Sequence, residues 1–203
     1  TLESTIGSGY TGGKNVDVAN LEAGDNFGTS VSLNGVGDRL AVGAREDDGA
    51  GNAANRTGAA YLFSFSDTDF NSGTLESTIG SGYTGGNNVD VANLEGGVVG
   101  DQFGSSVSLN AAGDRLAVGA VGDDGAGNAA PLTGAAYLFT FSDTDFSGGN
   151  LESTIGNGYT GGKNVDVASL ENLNEFGSSV SLNAAGNRLA VGALGDAGAG
   201  NAA

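Results

Sequence analysis

No cysteine, histidine, methionine or tryptophan occurs among the 203 residues, and proline occurs once, at Pro131. Without Cys there is no disulfide framework and no thiolate metal site. Without His and Cys, general bases and nucleophiles reduce to carboxylates, Lys, Tyr and Ser. Positive charge is equally scarce: seven Lys and Arg stand against 24 Asp and Glu, a formal charge of −17. Nucleic acids and anionic membranes require a basic footprint that this chain lacks, so neither is expected as a partner. No apolar run approaches the roughly 18 residues of a membrane-spanning helix, and membrane insertion is not expected. The acidity and the lack of Cys agree with an extracellular or cell-surface location. Acidic surfaces resist aggregation and attract divalent cations.

What is present is repetition. FGTSVSLNGVGDRLAVGA starts at Phe27, FGSSVSLNAAGDRLAVGA at Phe103 and FGSSVSLNAAGNRLAVGA at Phe176. LESTIG recurs at Leu2, Leu75 and Leu151, a period of 73 and then 76 residues. Self-similarity at such a period marks a repeat architecture. The expected units are 1–73, 74–149 and a partial third repeat, 150–203, in one continuous array. The three extra residues fall near Gly96–Gln102, where a loop tolerates insertion. The unfinished third repeat and the missing Met are expected of a window on a longer chain.

Each repeat reads as strands and turns. In SVSLN, Val31 and Leu33 alternate with Ser30, Ser32 and Asn34, the period of two of a half-buried strand. RLAVGA follows after the turn NGVGD, a hairpin signal. GAAYLFSF places Tyr61, Phe63 and Phe65 on one face and Ala60 and Leu62 on the other. TLESTIG reads as a shorter, weaker fourth strand. Four strands in succession make an antiparallel meander. One such sheet buries too little apolar area to stand alone, and stacked neighbours must supply the rest. The Gly/Asn/Asp-rich segment 7–26 is expected to carry the chain between sheets, with Val16 and Val18 alternating inside it.

The ordered blocks FG, SVSLN, DRLAVGA, DDGAGN and TGAAYLF resemble the FG-GAP repeat. That repeat is the blade unit of integrin alpha-chain β-propellers and of many large bacterial surface proteins. The resemblance rests on Phe27-Gly28, Phe103-Gly104 and Phe176-Gly177, then on Gly43-Ala44, Gly119-Ala120 and Gly192-Ala193. Gly58-Ala59 with Tyr61, and Gly134-Ala135 with Tyr137, match the strand that follows. The usual Pro after the second element is replaced by Arg45, Val121 or Leu194. The family's calcium loop between the first two strands is also absent, since only Asp38, Asp114 and Asn187 stand there. The implied fold is all-β: tandem four-stranded antiparallel blades of propeller type. Propellers close with about 4–8 blades, so the ring is incomplete. A longer propeller, a ring completed by other chains and an open array all remain open. Unpaired edges invite head-to-tail pairing with neighbouring copies.

Several residue sets could carry chemistry. The acidic turn offers Asp47, Asp48 and Asn52, then Asp123, Asp124 and Asn128, then Asp196 and Asn201. Calcium takes 6–8 oxygen ligands, and such a turn supplies several. Asp, Asn and Gly are equally what tight turns select. Asp67 with Asp69, and Asp143 with Asp145, could share a cation or simply form a solvated turn. Glu22 with Asp25, Glu95 with Asp101, and Glu171 with Glu175 precede each FG, within reach of Asp17, Asp90 or Asp166. Arg39, Arg115 and Arg188 are expected in ion pairs with neighbouring carboxylates. Tyr10, Tyr83 and Tyr159 in GYTGG loops could stack on a sugar or plug the gap between sheets.

No enzyme is expected, because the carboxylates recur with the repeat instead of forming one unique constellation. The leading expectation is an extracellular structural or adhesive repeat protein that forms a fibre, matrix or polymer. The alternative is a recognition module binding glycan or protein, with or without calcium.

Overall fold

The computed structural model describes residues 2–198, so Asn201 lies outside the described residues. A short parallel pair, β1 (Ile6–Gly7) and β2 (Val16–Asp17), comes first. A five-stranded sheet follows, in sequence order: β3 (Phe27–Leu33), β4 (Arg39–Ala44), β5 (Ala59–Ser64), β6 (Thr74–Gly80) and β7 (Val89–Asp90). Its copy holds β8 (Phe103–Leu109), β9 (Arg115–Ala120), β10 (Ala135–Thr140), β11 (Asn150–Gly156) and β12 (Val165–Asp166). A third sheet contains β13 (Phe176–Leu182) and β14 (Leu189–Ala193). Among the described residues the fold is all-β apart from one short 3-10 turn at Ala50–Asn52, and no sheet closes on itself.

The four strands read from the sequence form the antiparallel part of each full sheet, and a parallel fifth is added. At the chain's start only Ile6–Gly7 of TLESTIG pairs, but the copy from Thr74 is not the short, weak strand its polar letters suggest. It spans seven residues, as long as the FG strand, with Ser77 through Gly80 buried. Its polar groups are satisfied by the next loop: the Ser77 hydroxyl donates to the Asn87 carbonyl (2.8 Å), and the Thr78 amide donates to Asn88 Oδ1 (2.8 Å). That loop thereby returns alongside β6 and adds the parallel pairs Ile79–Val89 and Gly80–Asp90.

Strand alternation gives every sheet two unlike faces. One face of the first sheet carries Phe27, Leu40, Val42, Tyr61, Phe63 and Phe65, covered by Val16 and Val18. The opposite face carries Ala41, Ala60, Leu62 and Ile79, and packs on Phe103, Val107, Leu109, Leu116 and Val118 of the second sheet. Small side chains of one sheet therefore meet large ones of the next, and burial of that apolar area holds the array together. Edge-to-face ring pairs reinforce the large face: Phe27–Tyr61 at 5.5 Å, repeated as Phe103–Tyr137 at 5.4 Å.

Candidate functional site: the joint between sheets and the acidic turn

The FG element makes a bulge. Phe27 pairs with Ala44 and Ser30 with Gly43, so Gly28 and Thr29 are extra residues on β3. Gly104 and Gly177 share the positive φ of that position, 90° and 93°. The bulge turns the Gly104 carbonyl toward the preceding sheet, where it accepts the Ser30 hydroxyl (2.8 Å). Ser106 bonds Gly177 in the same way (2.7 Å). A Cβ on Gly43 would overlap the Gly104 carbonyl, and a Cβ on Gly104 would overlap that of Ala59. Gly58 runs alongside Phe103, whose amide donates to the Thr57 carbonyl (2.9 Å).

The FG, GA and TG glycines are thus places where two backbones touch. Further along, the Leu109 amide donates to the Ser32 hydroxyl (3.0 Å), and Leu182 repeats this with Ser108 (3.0 Å). At the hairpin tips the Gly35 amide donates to the Ala111 carbonyl, and the Ala111 amide to that of Ala184 (both 3.0 Å). The same joint is built twice.

The acidic turn lies above β4. Asp47 is buried, and its carboxylate points into the sheet. It accepts the Tyr61 hydroxyl (2.6 Å), the Tyr83 hydroxyl (2.9 Å) and the Gly49 amide (2.8 Å). Asp123 repeats the pattern with Tyr137 (2.5 Å), Tyr159 (2.8 Å) and the Gly125 amide (2.8 Å). Burial followed by the adjacent carboxylate holds the Tyr61 and Tyr137 hydroxyls well above the ordinary phenol range. Desolvation likewise raises Asp123.

Asp48 accepts the Arg56 amide (2.8 Å) and Asp124 the Leu132 amide (2.7 Å). Asn52 and Asn128 occupy the left-handed region at φ 57°. Asp196 accepts the Gly198 amide (2.8 Å). A bound calcium needs these oxygens converging on one point, but they are turned onto separate donors. No group of three or more acidic side chains converges on a common point among the described residues. Among the described residues the Asp carboxylates of this turn do not gather into a calcium set, and Asn201 lies outside them. Calcium added to chelator-treated protein is expected to leave the melting temperature unchanged, since a ligand without a site gives no linkage; a rise of several degrees would restore the cation.

Asp47→Ala should lower stability by about 2 kcal/mol in urea unfolding, because it removes the acceptor 2.6 Å from the buried Tyr61 hydroxyl and leaves it only the longer contact to the Tyr83 hydroxyl.

The remaining candidates separate. Asp67 Oδ1 accepts the amides of Asp69 and Asn71, and Asp143 Oδ1 those of Asp145 and Ser147, so each pair is a turn with one carboxylate capping the other's backbone. Asp17, Asp90 and Asp166 accept the amides of Gly9, Gly82 and Gly158, and none of them turns to the Glu22, Glu95 or Glu171 region. Asp25 and Asp101 instead accept the amides of Glu22 (2.7 Å) and Glu95 (2.8 Å). In the third copy that role belongs to Asn174, not Glu175 (2.7 Å to the Glu171 amide). Burial pushes Asp25 up, and pushes Asp101 up to about 7, with Asp123 and Asp124 adding repulsion.

Of the three recurring arginines, Arg39 makes the expected ion pairs, with Asp38 (3.6 Å) and with Asp145 of the second sheet (3.2 Å). Arg115 and Arg188 form none among the described residues. Tyr83 and Tyr159 point their hydroxyls inward to the acid, whereas Tyr10 is about half exposed.

Comparison with curated proteins gives no match. The family model of the FG-GAP repeat matches residues 19–63 and 94–139. Both segments run from the loop before the bulge to the aromatic strand, and so hold the glycines of the joint. Two segments of the chain, residues 19–63 and 94–139, are thus matched as FG-GAP repeats.

Proposed function

We propose that this is a non-enzymatic structural repeat module, outside the cell or on its surface, whose work is to stack. The observation that supports it most is the joint itself. Many of the residues that recur in every repeat are spent on sheet-to-sheet contact or on buried turns, which supports a stacking role. FG-GAP repeats of this kind serve as propeller-type interaction modules, and the joint has the directional geometry of propeller blades or of an open stack. A fibre or matrix built from such units would gain solubility from the −17 charge. Electron micrographs of concentrated protein should show rods or rings; compact particles of single-chain size would defeat the assembly reading.

A second reading rests on a repeated cavity. About 570 Å³ opens between Glu22, Gly49–Asn52 and Gly82–Thr84, and its copy of about 490 Å³ between Glu95, Gly125–Asn128 and Gly158–Thr160. Polar, glycine-lined and beside a tyrosine, these cavities suit a sugar. Saturable glycan-array binding that Thr84→Arg and Thr160→Arg together abolish would favour recognition over stacking.

A further inference from the structure

Near-identical repeats can pair out of order, and only the positions where they differ can prevent it. Two of the largest differences between repeats fall side by side in space. After DDGAGNAA the first sheet carries Asn55 and Arg56, whereas the second carries Pro131 and Leu132. Before FG the second sheet has the three extra residues within Gly96–Gln102, and the third sheet lacks them.

The first pair meets the longer loop. Asn55 Nδ2 donates to the Gly97 carbonyl (3.0 Å), and the Arg56 guanidinium donates to the Val98 carbonyl (2.9 Å). In return the Gly97 amide donates to the Asn55 carbonyl (2.9 Å). Glu46 lies 3.8 Å from the Arg56 guanidinium, and its counterpart in the second sheet is Gly122. Glycine permits the approach: a Cβ on Gly96 would lie 2.9 Å from the Asn55 amide nitrogen, and one on Gly100 would lie 2.1 Å from the Arg56 carbonyl.

The second pair meets the shorter loop through backbone alone. The Leu173 amide donates to the Pro131 carbonyl and the Glu175 amide to that of Leu132 (both 3.2 Å). Leu173 stands where Gly100 does, at φ 68° against 64°, and carries the side chain that the Arg56 carbonyl would exclude. Exchange of the loops would therefore fail in both directions. The longer one would leave its Gly97 and Val98 carbonyls facing Pro131 and Leu132, whose side chains have no donor. The shorter one would press Leu173 on Arg56.

We infer that residues 55–56, and 131–132 in the next repeat, select the sheet that follows. Asn-Arg takes a sheet whose entry loop has the insertion, and Pro-Leu takes one whose loop lacks it. This deepens the stacking reading and rests on it, since it specifies which sheet can sit on which. The FG and GA glycines build both joints alike; these pairs and loops make one joint unlike the other.

A double-mutant cycle on the whole chain tests the selection. One variant exchanges the exit, Asn55→Pro with Arg56→Leu. Another deletes Gly97–Val99, and a third combines the two changes. The exit backbone accepts both new residues, since Pro131 and Leu132 occupy it in the next repeat, with Leu132 at φ 54° beside 58° for Arg56. The exchanged exit alone should lower the folding constant in urea unfolding about tenfold, through loss of two exposed hydrogen bonds. The deletion alone should lose at least as much. Together they should lose no more than the deletion alone, because exit and loop then match again. Losses that multiply would overturn the selection and leave stacking standing. A Gly43→Ala variant as stable as wild type would remove the joint itself, and the stacking reading with it. Where the deletion does not fold, the exchanged exit decides alone. A proline that the backbone accepts stabilises by restricting the unfolded chain. A variant at least as stable as wild type would then overturn the inference, and a tenfold loss would support it.

Discussion

Gly43→Ala is expected to cost about 4 kcal/mol of stability, far more than the same change at Gly192. Both glycines occupy the same place in the repeat, on the strand that follows the hairpin, and φ is not the issue at either. At Gly43 the new methyl would overlap the Gly104 carbonyl, which belongs to backbone fixed by its own sheet. Overpacking of this kind costs about 3 kcal/mol at the upper end of its usual range. The Ser30–Gly104 hydrogen bond is lost with it, adding about 1 kcal/mol. At Gly192 the methyl meets only Ser178 and Ser179 hydroxyls, which can rotate away. Urea unfolding of dilute protein should therefore separate the two variants by several kcal/mol. Equal effects would mean that the glycine serves its own strand and not the joint.

Asp101→Asn is expected to stabilise the protein, and to do so only at higher pH. Burial first, and then the neighbouring acids Asp123, Glu95 and Asp124, hold the Asp101 carboxyl at about 7, against 3.8 unperturbed. A folded value above the unfolded one means that the native state keeps a proton the unfolded chain releases. Stability at this site is therefore full below about pH 4 and falls as pH rises toward 7. The interval corresponds to about 4 kcal/mol at most. Asparagine removes the charge and keeps the acceptor, and the third repeat already places Asn174 on the Glu171 amide in this role. The variant should melt close to wild type at pH 4 and well above it at pH 8. A variant less stable than wild type at pH 8 would show that the carboxylate is held charged.

Much of this molecule is legible in its letters, and the limits have physical causes. Alternation in SVSLN and AAYLF identifies both the strands and their faces, because a period of two has one structural meaning. TLESTIG at Thr74 misleads because Ser77 and Thr78, though buried, donate hydrogen bonds to Asn87 and Asn88, which no hydropathy pattern records. The parallel strand at Val89–Asp90 is two residues long and exists through those same bonds.

The acidic turn shows the sharper limit. An Asp in a turn reads alike whether it faces water, a metal or the core. The partners that decide, Tyr61 and Tyr83, stand 14 and 36 residues away. One signal was available: Tyr83 and Tyr159 each follow an acid by that same interval. The glycines of FG and GA were legible as recurring but not as touching. Proximity between repeats leaves no mark in a single repeat's sequence.

The most direct test of stacking is the assembly state of Gly192→Ala beside wild type, at protein concentrations where the wild-type chain associates. A methyl there is nearly free within one chain and stands on the face that meets the next sheet at Gly43 and Gly119. The expected result is an unchanged melting temperature in dilute solution together with lost association in sedimentation. A variant that assembles as fully as wild type would contradict the joint as the basis of assembly.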